Sequence, residues 1–131
     1  MKNSLPEPIR NRVNESGLIA LDLDELAPDT AVRSLDLSNY LEQGLILREK
    51  PFRSAMADLN AADWEGCAVA LHCASDAILP DWAWMLATSK LTALGARVCI
   101  GDETRARERL LLDAINELEL EPYRDGRLVI K

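Results

Sequence analysis

Cys67-Ala68-Val69-Ala70-Leu71-His72-Cys73-Ala74-Ser75-Asp76-Ala77-Ile78-Leu79-Pro80-Asp81-Trp82-Ala83-Trp84-Met85 is the stretch that decides how this chain folds. Cys67–His72 reads as a buried strand, apolar without alternation up to Leu71, as a strand is when both of its faces are covered. The chain then turns through Cys73-Ala74-Ser75-Asp76 and enters a helix at Pro80, a residue whose missing N–H is not needed in a first turn. The helix is predicted over Pro80–Leu94 and closes on Gly95.

Reading onward, Arg97–Ile100 is a second apolar strand. Asp102 is placed to cap a helix over Glu103–Leu118, its charge facing the positive end of the helix dipole. On that helix Leu111, Ala114, Ile115 and Leu118 recur every three or four residues as one apolar stripe. Arg127–Ile130 reads as a third strand. Strands joined through single helices predict two right-handed βαβ units. The expected fold is α/β, with a small, largely parallel sheet and helices on both faces.

Reading backward, the pattern is less regular. Leu18-Ile19-Ala20-Leu21-Asp22-Leu23 suggests a strand, Pro28-Asp29 a turn, and Val32–Leu37 another strand with Asp36 opposite Leu35 and Leu37. Ser38 can cap a short helix stopping near Gly44, and Pro51 suits the first turn of a helix running to about Leu59. Pro6 and Pro8 make the first residues an extended arm. The whole is expected to be a single α/β domain over residues 1–131. Its N-terminal half, 1–62, consists of short strands and helices, and its βαβαβ core spans 63–131.

Composition narrows the function classes. The chain has 131 residues and a formal net charge of -7, which repels phosphate backbones and anionic headgroups; nucleic acid and membrane are not expected as partners. Three cysteines with no C-x-x-C pair suit a reducing compartment, and no apolar h-region opens the chain, so a cytoplasmic location is expected.

The candidate site follows from fold class. Ligands of open parallel sheets gather beyond the carboxyl ends of the strands. That edge receives His72, Cys73, Ser75 and Asp76 from one connection and Asp102 from the next. A thiol leading toward a helix N-terminus can become nucleophilic or bind metal, with His72 and Asp76 as base or fellow ligands. Against this, adjacent strand residues point to opposite faces, so His72 and Cys73 diverge if the strand continues. Cys73 is then a small buried hydrophobe, His72 a hydrogen-bonded strand end, and Ser75 or Asp76 a turn cap. Trp82, Trp84 and Met85 are read as core, on a helix apolar nearly all round and sandwiched between layers. Asp22, Asp24 and Glu25 lack the loop spacing of a cation site. No catalytic motif is complete, and whether the chain is an enzyme, and with what cofactor, stays open.

Three blocks carry a resemblance. They are Asn11-Arg12-Val13 with Ser16-Gly17-Leu18-Ile19, Gly44-Leu45-Ile46-Leu47 with Glu49-Lys50 and Phe52-Arg53, and Cys73 with Asp76-Ala77-Ile78, Pro80, Trp82-Ala83 and Met85. Gly101-Asp102 and Tyr123-Arg124-Asp125 to Lys131 also fit. The chain resembles an uncharacterised bacterial family, domain of unknown function 2480. The resemblance implies no assigned activity and an association with iron–sulfur cluster assembly. It also implies a continuation beyond the position of Lys131 with further cysteines, so that a site sharing those thiols with Cys73 lacks them here. Three readings remain. One is an accessory or interaction protein, tied to iron–sulfur or thiol metabolism, with a protein partner or a homodimer formed through the C-terminal strand or the Pro80–Leu94 helix. Another is a small-molecule enzyme or metal-binding protein with its site at the strand ends around Cys73, Asp76 and Asp102. The third is a shortened relative that keeps the fold but has lost the site.

Overall fold

The computed structural model describes Arg12 and residues 16–131; the arm expected at Pro6 and Pro8 lies outside them. Among the described residues the strands are β1 (Ile19–Leu21), β2 (Val32–Asp36), β3 (Leu41–Glu42), β4 (Ile46–Leu47), β5 (Ala68–His72), β6 (Arg97–Ile100) and β7 (Leu128–Ile130). The helices are α1 (Leu23–Leu26), α2 (Glu49–Ala57), α3 (Ala61–Trp64), α4 (Asp81–Ala93) and α5 (Glu103–Asn116). The fold is a small α/β one, mostly parallel, as the apolar runs predict.

The central sheet has the order β2-β5-β6, all parallel, with Leu35 beside Leu71 and Val69 beside Val98. Side-chain alternation sends Leu35, Val69 and Leu71 to one face. There they join Phe52 and Met56 of α2, Trp64 of α3, and Ala83, Ala87 and Leu91 of α4 in one buried cluster. The alanines at 83 and 87 bring α4 close to the sheet, while Trp82 turns sideways, edge-on to Phe52 at 5.8 Å between centroids. The opposite face offers Ala68 and Ala70, covered by Ala106 and Leu110 of α5. Helices therefore cover both faces of the sheet.

Three expectations are corrected. First, the last strand does not join β5 and β6 in one βαβαβ sheet: β7 pairs in parallel with β1, Ala20 beside Val129. The reason is the side on which α5 lies. A right-handed crossover through a helix on that face leads back toward β2, not beyond β6. Second, no helix runs from Ser38 to Gly44. Asp36, not Ser38, caps a short 3-10 turn over Leu37–Tyr40, and β3 and β4 follow as an antiparallel hairpin. Its turn holds Gln43 and Gly44 at φ 54° and 71°, the conformation that hairpin turns require. Third, Met85 is 70% exposed, so α4 is not buried all round. On α5 the inward residues are Ala106 and Leu110, with Leu111 and Ala114 at the margin and Ile115 outward.

Candidate functional site

The carboxyl ends of β2, β5 and β6 lie at one edge of the sheet, as the topology requires. The residue that organises this edge is Asp36, at the end of β2. Its Oδ1 accepts from the Ser38 N–H at 2.9 Å, turning its own strand, and from the Ala74 N–H at 3.0 Å, holding the connection that leaves β5. In the ladder Asp36 stands beside His72. Burial pushes the Asp36 carboxyl up, but the Ala74 N–H, the Ser38 hydroxyl and N–H, and the charge of His72 outweigh it and hold the group below its ordinary range.

The sequence candidates fall around this carboxylate in separate places. His72, half-buried, shares the face of Asp36. Cys73 packs against the α4-side core, so the two neighbours diverge, as strand alternation predicts. The Cys73 Sγ lies 3.5 Å from the Ser75 Oγ and 3.7 Å from the Ser75 carbonyl. The Ser75 hydroxyl also accepts from the Ala77 N–H at 3.3 Å, so Cys73 and Ser75 form one small turn. Asp76 is exposed on the same connection, two residues before Ile78, which is 96% exposed. Asp102 is engaged by its own helix, accepting from the Arg105 N–H at 2.9 Å. Of the five candidates, Cys73 and Ser75 are joined by a contact. Among the described residues no three His, Cys, Asp or Glu side chains are grouped as a metal ion would need.

Asp36 is the residue that reading along the chain misses. Its signal is Asp36-Leu37-Ser38, an acid two residues before a Ser at the point where alternation stops, which is an Asx turn. Its reach to Ala74, 38 positions away, has no local signal.

Several hollows in the surface lie elsewhere. A series of them runs along the seam between β6 and α5. A cleft of about 270 Å³ is lined by Ala68, Arg97, Cys99, Arg109, Leu110 and Asp113. It shares Cys99 and Arg109 with a second of about 340 Å³ that adds Ile100, Arg105, Glu108 and Leu112. Across the strand, on the α4 side, Trp84, Met85, Thr88, Ser89 and Ile100 line a shallow apolar hollow of about 410 Å³. Among the described residues no helix is long and apolar enough to cross a membrane. No curated protein and no solved structure matches the chain. The blocks quoted above find their match in a family model over residues 7–131, and the chain belongs to that family, described as a protein of unknown function, DUF2480.

Proposed function

We propose that this chain is a cytoplasmic interaction or accessory protein that works by presenting a surface to another protein. The observation that carries this reading is the edge at β6. Among the described residues no strand pairs with its outer side, and the large apolar residues around it are exposed: Ile100 by 56%, Met85 by 70% and Leu112 by 54%. Such a patch on two helices and the strand between them is a feature of docking surfaces. Three free cysteines support the reducing compartment, and the acidity supports partners other than nucleic acid. The link to iron–sulfur or thiol metabolism that the resemblance implies has only Cys73, beside Ser75, to rest on at the sheet edge.

A second reading, a homodimer, draws on α4 and on β7, where Leu128, Val129 and Ile130 are all exposed on a strand with one neighbour among the described residues. Photo-crosslinking in cells separates the two. A crosslinker placed at position 85 or 112 is expected to give a discrete adduct, and one at Arg33, on the opposite edge, none. An adduct of twice the chain mass at 85 or 112 supports the dimer, and any other discrete mass supports a partner. No discrete adduct at either position, or the same pattern at Arg33, overturns the reading.

A further inference from the structure

The free edge and the two sides flanking it are chemically different. Arg97 and Gly101 donate their N–H groups to Cys67 and Leu71 of the β5 side, at 2.9 Å each. By ladder alternation the N–H and C=O groups of Val98 and Ile100 therefore point outward. On the α4 side of this edge the surface is apolar, formed by Trp84, Met85 and Ile100. On the α5 side it is a trough with Cys99 in the middle and three guanidiniums, Arg97, Arg105 and Arg109, along it. Two carboxylates share that trough. Asp113 is taken up by Arg109 at 3.1 Å, and Glu108 lines the trough together with Arg105 and Arg109. Among the described residues Arg97 and Arg105 have no ion-pair partner. The lining of the trough is thus three guanidiniums to two carboxylates, with Glu117 beyond Arg97 in the adjoining hollow, in a chain of net charge -7.

We infer that β6 is a strand-addition site for an extended segment of a partner protein whose side chains alternate between acidic and apolar. Its main chain bonds to Val98 and Ile100. Because strand side chains alternate, every second one enters the arginine trough and the others lie on Trp84, Met85 and Ile100. A second copy of this chain fits less well. A closed two-fold pairing of β6 is antiparallel, and the register centred on Cys99 sets Val98 opposite Ile100 and Arg97 opposite Gly101. Arg105 lies over Gly101, its Cδ 2.7 Å from where a Cβ would sit. Each Arg97 would meet the partner copy's Arg105, like charge against like. An acidic side chain in that position meets both favourably.

This inference rests on the interaction reading but is tested apart from it. The probes are three soluble peptides of about ten residues: alternating Glu and Val, alternating Lys and Val, and the Glu/Val composition in two blocks. Binding is followed by amide hydrogen exchange at Val98 and Ile100 and by the alkylation rate of Cys99. The alternating acidic peptide is expected to slow exchange at both amides and alkylation of Cys99. The basic and blocked peptides are expected to do so at least about tenfold more weakly. Arg97→Glu with Arg105→Glu should reverse the preference toward the Lys/Val peptide, while Ile100→Lys weakens every peptide. Thermal unfolding of each variant confirms that it folds. Equal binding of the acidic and basic peptides, or binding that leaves Val98, Ile100 and Cys99 unprotected, overturns strand addition. Crosslinks at 85 or 112 would then still uphold the interaction reading. Protection by the acidic peptide with no crosslinks in cells would leave a competent edge and sink the interaction reading instead.

Discussion

The two edges of the central sheet solve the same problem differently. Both β2 and β6 have a neighbour on one side only among the described residues, so each leaves backbone donors and acceptors facing outward. At β2 the two charged side chains are engaged. Arg33 donates to the Asp63 carbonyl and lies 4.7 Å over the Trp64 ring, Ser34 is exposed, and Asp36 ties the strand end to Ser38 and Ala74. Charge and local bonding on an edge discourage pairing with another chain. At β6 the residues are Arg97, Val98, Cys99 and Ile100, bordered by exposed Met85 and Leu112, with Arg97 and the other charges along the α5 side. This difference between the two edges is what the proposed strand addition at β6 rests on.

Depth of burial gives the largest contrast between the edges. Leu35 on β2 is 7% exposed and packs in the α4-side core, whereas Ile100 on β6 is 56% exposed. Leu35→Ala is expected to destabilise by about 2–5 kcal/mol through lost burial and the cavity left behind. Ile100→Ala should cost under about 1 kcal/mol. Urea unfolding of the two variants gives the comparison, and similar losses would mean that β6 is as integral to the core as β2.

Asp36 comes next. Asp36→Ala leaves the Ala74 and Ser38 N–H groups without their acceptor and is expected to cost about 1–2 kcal/mol, moderated because the carboxyl is only half-buried. The pH dependence has a definite sign. The folded state holds this carboxyl below its ordinary range. Its contribution is therefore complete above the unfolded value of about 3.9 and is lost as pH falls through the lower folded value. The stability gap between wild type and Asp36→Ala should be present at neutrality and close as pH falls below about 4. A gap that persists at lower pH would show that the neutral side chain does the same holding.

What the sequence reveals of this comparison depends on how local the determining contacts are. β5, α4, β6 and α5 are legible because each is a long apolar or periodic run with its own boundary residues, such as Gly95 and Asp102. The β3–β4 hairpin is not, because two-residue strands have no period and Gln43 is an unusual residue for positive φ. β7 is recognisable as a strand, but its partner β1 lies more than a hundred positions earlier, and nothing local selects it over β6. Trp82-Ala83-Trp84-Met85-Leu86-Ala87 is apolar at every angle, so its composition cannot say which residues face inward. Packing decides, placing the small Ala83 and Ala87 against the sheet and leaving Met85 outside. The candidate site was legible only as a location, since Asp36 reaches Ala74 from a distant strand.

The protection at β2 predicts an intermediate effect. Arg33→Ala removes the stacking over Trp64 and the bond to the Asp63 carbonyl, both at the surface. A loss of about 1 kcal/mol is expected, since exposed cation–π contacts contribute about 0.5–1 kcal/mol. The variant should also associate more readily at high concentration, because the removed charge guarded the edge. Sedimentation alongside unfolding measures both; a variant as stable and as monodisperse as wild type would mean that Arg33 is no guard.

The smallest effect on stability, Ile100→Lys, separates a binding edge from a structural one. The Ile100 side chain lies over the hollow bordered by Trp84 and Met85. A lysine there can keep its stem on that surface and its ammonium in water, so unfolding should shift by no more than about 0.5 kcal/mol. The same charge stands where an added strand would have to pack, next to outward-facing donors and acceptors. The variant should fold like wild type and yet lose protection of the Val98 amide by an alternating acidic peptide. The measurement is therefore a pair, unfolding free energy and peptide-induced slowing of exchange on one sample. If stability falls by several kcal/mol along with binding, Ile100 is part of the core and the contrast with β2 disappears. If stability holds and binding falls, the apolar character of β6 serves recognition, because the fold stands without it.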